Sequence, residues 1–168
     1  MSLVYIGLGS NLSDPAMQIK QAVLAISSLE NCKIERISAL YFSRPMGPKD
    51  QPDYMNAVLS LSTSSSPIEL LDALQTIENN TGRVRKDNRW GARILDLDIL
   101  LFDNQVIDSQ RLIIPHYGMK TREFVLTPLY EIAPTLVFPD GVALSEIVHT
   151  INQNGLKIFD YSLQLPIK

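Results

Sequence analysis

A strand-period run with two carboxylates set into it constrains this chain more than any other stretch. In Arg89-Trp-Gly-Ala-Arg-Ile-Leu-Asp-Leu-Asp-Ile-Leu-Leu101, Leu95, Leu97, Ile99 and Leu101 alternate with Ile94, Asp96, Asp98 and Leu100. Side chains in a strand alternate faces with a period of two, so Asp96 and Asp98 point the same way. Their Cα atoms are expected roughly 6.6 Å apart, two strand steps. Like charges that close raise each other's pKa or call for a cation. For an all-oxygen pair the suitable cation is Mg²⁺, completed by water and substrate phosphates.

Directly upstream, Arg83, Arg85, Lys86, Arg89 and Arg93 fall within eleven residues. Guanidinium forks suit phosphate oxygens. A carboxylate pair beside a cationic, glycine-containing loop is what a metal–polyphosphate complex needs from a protein. The plain alternative is an edge strand with polar ends following a solvated basic loop.

The rest of the chain narrows the setting. Its 168 residues predict one domain spanning 1–168, long enough to bury a core. The net charge of -3 argues against general nucleic-acid binding, so the basic cluster has a local role. Cys32 is the single cysteine, which excludes an intrachain disulfide and disfavours a cysteine-based zinc site. No apolar run approaches the roughly 18 residues of a membrane span, and the N-terminus lacks a charged region and cleavage site. A cytoplasmic protein is expected, with no membrane partner.

Taken in order, Val4–Leu8 reads as a strand and Gly7-Leu-Gly9-Ser-Asn11 as the turn after it. The third glycine of a dinucleotide fingerprint is missing at Leu12, and no P-loop motif occurs. Asp14 followed by Pro15 starts a helix with Ile19, Ala22, Val23, Ile26 and Leu29 on one face. Lys33–Phe42 reads as one strand. Residues 43–53 form a long loop with three prolines, a candidate lid. In the strand Tyr54–Ser62, Met55, Ala57, Leu59 and Leu61 face one side and Tyr54, Asn56 and Val58 the other. Ser66-Pro-Ile-Glu69 is a capping box opening a helix with Leu70, Leu71, Leu74 and Ile77 buried and Gly82 at its C′ position. Glu78 lies in the last turn, where the helix dipole disfavours an acid, which predicts a partner such as Arg83 or Arg85. Strand, helix, strand, strand, helix, strand is the split βαβ of a ferredoxin-like fold. The fold class expected is α+β: an antiparallel ferredoxin-like sheet with helices on both faces, an α/β/α sandwich.

Beyond the key strand, Val106-Ile107 starts a short strand, and His116 follows Pro115 in an extended segment. Lys120 and Arg122 form a second group of phosphate-compatible donors. Arg122–Ile132 and Leu144–Ile151 read as helices, and Leu156–Tyr161 as an edge strand.

Four motifs now stand in order: Gly47-Pro-x-Asp-Gln-Pro-Asp-Tyr-x-Asn56, Gly82-Arg-Val-Arg85, Arg89-Trp-Gly-x-Arg-x-Leu-Asp-Leu-Asp98 and Pro115-His-Tyr-x-Met-Lys120. Together they resemble the 6-hydroxymethyl-7,8-dihydropterin pyrophosphokinases of folate biosynthesis, from about Tyr5 to about Val148. The resemblance implies transfer of the β,γ-pyrophosphoryl group of ATP to the pterin hydroxymethyl, releasing AMP. It implies two Mg²⁺ ions held by Asp96 and Asp98, with Arg83 and Arg93 joining them as catalytic residues. It assigns Glu78, Arg85, Trp90, Arg93, Ile99, Arg111, Ile113, His116, Tyr117 and Arg122 to ATP. It assigns Ser43, Pro45, Met46, Tyr54, Asn56, Trp90, Asp96 and Phe124 to the pterin, Tyr54 and Phe124 sandwiching the ring while Asn56 reads its edge. Some members carry Thr-Pro-Pro-Leu where this chain has Ser43-Arg-Pro-Met46, so Ser43 replaces a threonine hydroxyl and Arg44 adds a charge. The stand-alone form is expected, acting as a monomer. Two rival classes are another Mg²⁺-dependent phosphoryl or nucleotidyl transferase on a ferredoxin-like sheet, and a non-catalytic nucleotide-binding module.

Overall fold

The computed structural model describes residues 1–11, 14–43, 54–82 and 95–160. Strand β1 (Ser2–Ser10) leads to helix α1 (Pro15–Ser27), then β2 (Cys32–Ile37), β3 (Leu40–Ser43), β4 (Tyr54–Thr63), α2 (Pro67–Gly82) and β5 (Asp96–Phe102). A small hairpin, β6 (Ile107–Asp108) and β7 (Ile113–Ile114), precedes α3 (Glu123–Ile132), α4 (Leu144–Val148) and β8 (Lys157–Asp160). The main sheet runs β5-β1-β4-β3-β8, with β2 also on β4, and every pairing is antiparallel. This is the ferredoxin-like order expected, with β8 as the added edge strand.

Both helix starts form as their sequences dictate. The Asp14 carboxylate accepts from the Met17 amide at 3.4 Å, with Pro15 in the first turn. Ser66 and Glu69 exchange bonds reciprocally: the Ser66 amide donates to Glu69 Oε1 at 2.8 Å, and the Glu69 amide donates to Ser66 Oγ at 3.2 Å. Those two bonds hold the exposed Glu69 carboxyl below its ordinary pKa. Helices α1 and α2 bury Ile19, Val23, Ile26, Leu70 and Leu74 against Ile6, Leu8, Leu59, Leu97 and Ile99. On the opposite face α3 and α4 bury Val125, Leu126, Leu129 and Leu144 against Val58, Leu100 and Leu101. The sheet is the middle layer of an α/β/α sandwich.

Several local expectations are corrected. Gly7 and Gly9 are not a turn; they belong to β1, which continues to Ser10. The expected strand Lys33–Phe42 is two strands broken at Ser38–Ala39. There the Ala39 amide leaves the sheet ladder and donates to the Glu131 carboxylate of α3 at 3.0 Å, and the Tyr41 hydroxyl joins it at 2.6 Å. Leu101 is not on the Ile99 face. A bulge shifts the register between Tyr5 and Ile6, which pair with Leu101 and Ile99, so Leu100 and Leu101 both enter the α3 side and Phe102 returns to the other. Gly82 lies inside the end of α2 rather than beyond it. Helix α3 starts at Glu123 and α4 ends at Val148.

Candidate functional site

The site is a gap in the sandwich made by β1. This strand lies between β4 and β5, and its cross-strand partners put Gly9 opposite both Asn56 and Asp96, and Gly7 opposite both Val58 and Asp98. Glycine at alternate positions of a central strand leaves one face without side chains, while Ile6 and Leu8 fill the other. The bare floor is tight: a Cβ on Gly9 would stand 3.2 Å from Asn56 Oδ1, and one on Gly7 would meet Leu100 at 3.4 Å.

Above that floor is a hollow of about 250 Å³ lined by Gly7, Gly9, Ser43, Tyr54, Asn56, Asp96, Asp98, His116, Arg122 and Phe124. Asn56 is buried, and its amide donates to Ser43 Oγ at 2.6 Å, which orients its carbonyl toward Gly9. A second hollow, of about 300 Å³, shares Asp96, Asp98 and His116 and continues past Glu78, Ile99, Arg111, Ile113 and Tyr117. The aspartate pair therefore stands where the two hollows meet. Asp98 is about half exposed, with side-chain accessibility of 48%.

Strand β5 is held at this junction by α2. The Glu78 carboxylate accepts from the Leu97 amide, between the two aspartates, at 2.7 Å. The acid at the helix end thus has a backbone partner in β5; the arginines expected to pair with it lie outside the described residues.

His116 is held by its own backbone and its neighbours. The His116 amide donates to the Leu100 carbonyl at 3.0 Å, anchoring it to β5. The Gly118 amide donates to His116 Nδ1 at 3.2 Å, so the ring proton of the neutral form is on Nε2. Nε2 lies 3.9 Å from Asp98 Oδ2. Burial lowers the imidazole pKa from its ordinary 6.5, Asp98 pulls it back up, and the Arg122 charge lowers it. A neutral imidazole therefore presents an N–H to the junction at neutral pH. Tyr117 is exposed and stacks on His116 at 4.7 Å. The Arg122 guanidinium lies 5.6 Å from the Tyr117 ring and 5.9 Å from the Phe124 ring. Gly118 makes room for it, because a Cβ there would come within 2.9 Å of the guanidinium.

Among the expected ATP residues, Glu78, Ile99, Arg111, Ile113, His116 and Tyr117 line the second hollow, and Arg122 lines the first. Ile99 is buried, and Arg111 is engaged with Asp72 at 2.6 Å and Gln75 at 3.2 Å on α2. Lys120 does not join Arg122: its ammonium bonds Asp140 at 2.6 Å and sits over the Phe138 ring. Arg83, Arg85, Trp90 and Arg93, together with Pro45 and Met46, lie outside the described residues. The sequence allows Gly7 and Gly9 only a minor role near a ligand, and gives no sign that Leu8, Ala57, Leu100 and Val125 line the first hollow. The period-two spacing of the glycines was the available signal.

Residues 5–134 match the family model described as 7,8-dihydro-6-hydroxymethylpterin-pyrophosphokinase (HPPK). The chain belongs to this family. It is 53% identical over 148 residues to the 2-amino-4-hydroxy-6-hydroxymethyldihydropteridine pyrophosphokinase of Haemophilus influenzae, covering 88% of this chain and 92% of that one. The enzyme of the same name from Pseudomonas aeruginosa is 49% identical, covering 92% of this chain and 94% of its own. The fold is also that of an HPPK-DHPS protein crystallised with substrates, with a TM-score of 0.69 at 14% identity over 89% of this chain and 45% of that longer one. As an HPPK, the chain is a transferase that moves the pyrophosphoryl group of ATP to hydroxymethyldihydropterin in folate synthesis. Among the described residues no helix is long and apolar enough to cross a membrane.

Proposed function

We propose that the two adjoining hollows divide the substrates, the pterin over Gly9 and Asn56 and the triphosphate past His116, with Asp96 and Asp98 between them. The observation that carries this reading is the position of the aspartate pair in the walls of both hollows. The donor set fits Mg²⁺: two carboxylates on one strand, with no group of three or more His, Cys, Asp or Glu side chains assembled among the described residues. Such a pair suits a cation that completes its shell with phosphate oxygens and water. Two Mg²⁺ ions bound with ATP would neutralise the polyphosphate and leave its β-phosphorus open to in-line attack by the pterin hydroxyl.

The protein's share is positioning. Asn56, with its carbonyl set by Ser43, presents an acceptor to the N–H edge of the heterocycle, and Tyr54 and Phe124 supply aromatic faces. Neutral His116 donates from Nε2, and Arg122 adds positive charge where the phosphates cross the junction. Ile99, Arg111, Ile113 and Tyr117 border the nucleotide. Arg83 and Arg93 are assigned, from the family resemblance, to the charge that develops on the transferred group. Arg85 and Trp90 serve the nucleotide side, while Pro45, Met46 and Trp90 serve the pterin side. As the pterin oxygen bonds the β-phosphorus, the bond from that phosphorus to the α,β-bridging oxygen breaks and AMP leaves. The hydroxyl proton passes to a phosphate oxygen or to water, because a metal-bound carboxylate is a weak base. The reading is of one pyrophosphokinase domain, monomeric and cytoplasmic.

Incubation of the protein with ATP, 6-hydroxymethyl-7,8-dihydropterin and Mg²⁺ tests it. AMP that requires both the pterin and the metal is the expected product. ADP would replace pyrophosphoryl with phosphoryl transfer, pyrophosphate would indicate nucleotidyl transfer, and nucleotide binding without any product would mean a binding module.

A further inference from the structure

The pterin-side hollow has two side walls that come from distant parts of the chain. One is the end of β3 with its neighbour β4, carrying Ser43 and Asn56. The other is the start of α3, carrying Arg122 and Phe124. Residues 152–160 touch both. Strand β8 pairs with β3 from Leu40 to Phe42. The turn ahead of it is bonded to α3 twice: Thr127 Oγ1 donates to Gln153 Oε1 at 2.7 Å, and Asn154 Nδ2 donates to Glu123 Oε1 at 2.7 Å.

Glu123 is the notable member. It lies between Arg122 and Phe124 in sequence, yet the residue is buried, with a relative exposure of 9%. Carboxylates are rarely buried to that degree without partners. Its two oxygens are held separately, Oε1 by Asn154 and Oε2 by the Phe124 amide at 3.2 Å. Asn154 reaches it from a left-handed backbone, φ 50°, stabilised by a bond from its own amide to Asn152 Oδ1 at 2.8 Å. Successive helix residues differ by about 100° in direction, so holding Glu123 inward at the first turn fixes the direction in which Phe124 leaves the helix.

We infer that residues 152–160 are a strap joining the two walls, and that Glu123 and Asn154 are positioning residues that set the width of the pterin-side hollow. This rests on the assignment of that hollow to the pterin. The strap joins β3 to the start of α3 and does not touch the Glu78–Arg111 wall of the other hollow, so its loss falls chiefly on the pterin, with a smaller effect on ATP passing through Arg122.

Equilibrium binding of the pterin and of a non-hydrolysable ATP analogue, with steady-state KM and kcat, tests the inference. Asn154→Gly removes the amide and keeps a residue at ease with positive φ. It is expected to weaken pterin binding about fivefold and leave ATP-analogue binding within about twofold. Glu123→Gln keeps an oxygen acceptor for Asn154 but turns its NH2 toward the Phe124 amide, and is expected to lose less pterin affinity than Glu123→Ala, which matches Asn154→Gly. If Asn154→Gly fails to fold, Thr127→Val cuts the neighbouring bond and should show the same one-sided loss. Unchanged pterin binding in these variants, or equal losses for both ligands, would overturn the strap. Phe124→Ala is the control for the underlying assignment: if it leaves pterin binding intact, the hollow itself has been misassigned.

Discussion

The two faces of β1, β4 and β5 are built from alternate residues of the same strands and are used in opposite ways. On one face Ile6, Leu8, Ala57, Leu59, Leu97 and Ile99 are buried under α1 and α2. On the other, the interleaved positions toward one end are Gly7, Gly9, Asn56, Asp96 and Asp98, and they line a hollow. The apolar face is filled, and filling it is where burial stabilises the fold. The opposite face keeps its polar and missing side chains because the α3 side is packed on Tyr5, Val58, Leu100 and Leu101, farther along the same strands. Each of these strands therefore carries stability on alternate positions and chemistry on the positions between them.

The contrast predicts that damage to the two faces separates cleanly. The largest effect is expected for Asp96→Ala or Asp98→Ala, a fall in turnover on the order of a thousandfold, with little change in Tm. AMP release and thermal melting measured together check it, and near-wild-type turnover in either variant would refute the metal assignment. Leu59→Ala, across the sheet, is expected to do the reverse: about 2–5 kcal/mol less stability by denaturant titration, with the activity of the folded fraction retained.

Smaller changes sharpen the comparison. Gly9→Ala intrudes on Asn56 Oδ1, 3.2 Å from the new Cβ, and is expected to weaken pterin binding about tenfold. Gly118→Ala tolerates its backbone, φ -103°, but displaces the Arg122 guanidinium. It should lower ATP affinity about threefold without shifting Tm. The smallest effect is the titration of His116. Burial depresses its folded pKa below 6.5, so the unfolded chain binds the proton more readily. This contribution to stability is present above 6.5 and is lost as pH falls through the folded pKa. An imidazole NMR titration of the ligand-free protein with a midpoint above 6.5 would contradict that sign.

What was legible in the chain was whatever depends on near neighbours. The capping box at Ser66–Glu69 needs three residues and formed as read. The alternation of Met55, Ala57, Leu59 and Leu61 against Asn56 and Val58 follows from strand geometry alone, as does the common direction of Asp96 and Asp98. Gly9 reads as part of a turn because glycine usually marks one, yet β1 runs through both glycines to Ser10. Their strand state comes from two flanking strands that supply hydrogen bonds on both sides. The break at Ser38–Ala39 was invisible because its cause, Glu131, lies 92 residues away. The same holds for Lys120, which Asp140 and Phe138 draw away from Arg122.

The sequence by itself determined the layered α+β plan, the faces of its helices and strands, and a carboxylate pair suited to a metal, because periodicity and capping act over a few residues. Tertiary structure alone decided that two glycines would open a floor between Asn56 and Asp96, that a bulge would turn Leu101 over, and that Glu78 would hold the Leu97 amide. Those outcomes depend on which strands become neighbours and on which distant group satisfies each buried polar atom. Hydrogen-bond satisfaction and close packing resolve such questions only once the whole chain is assembled.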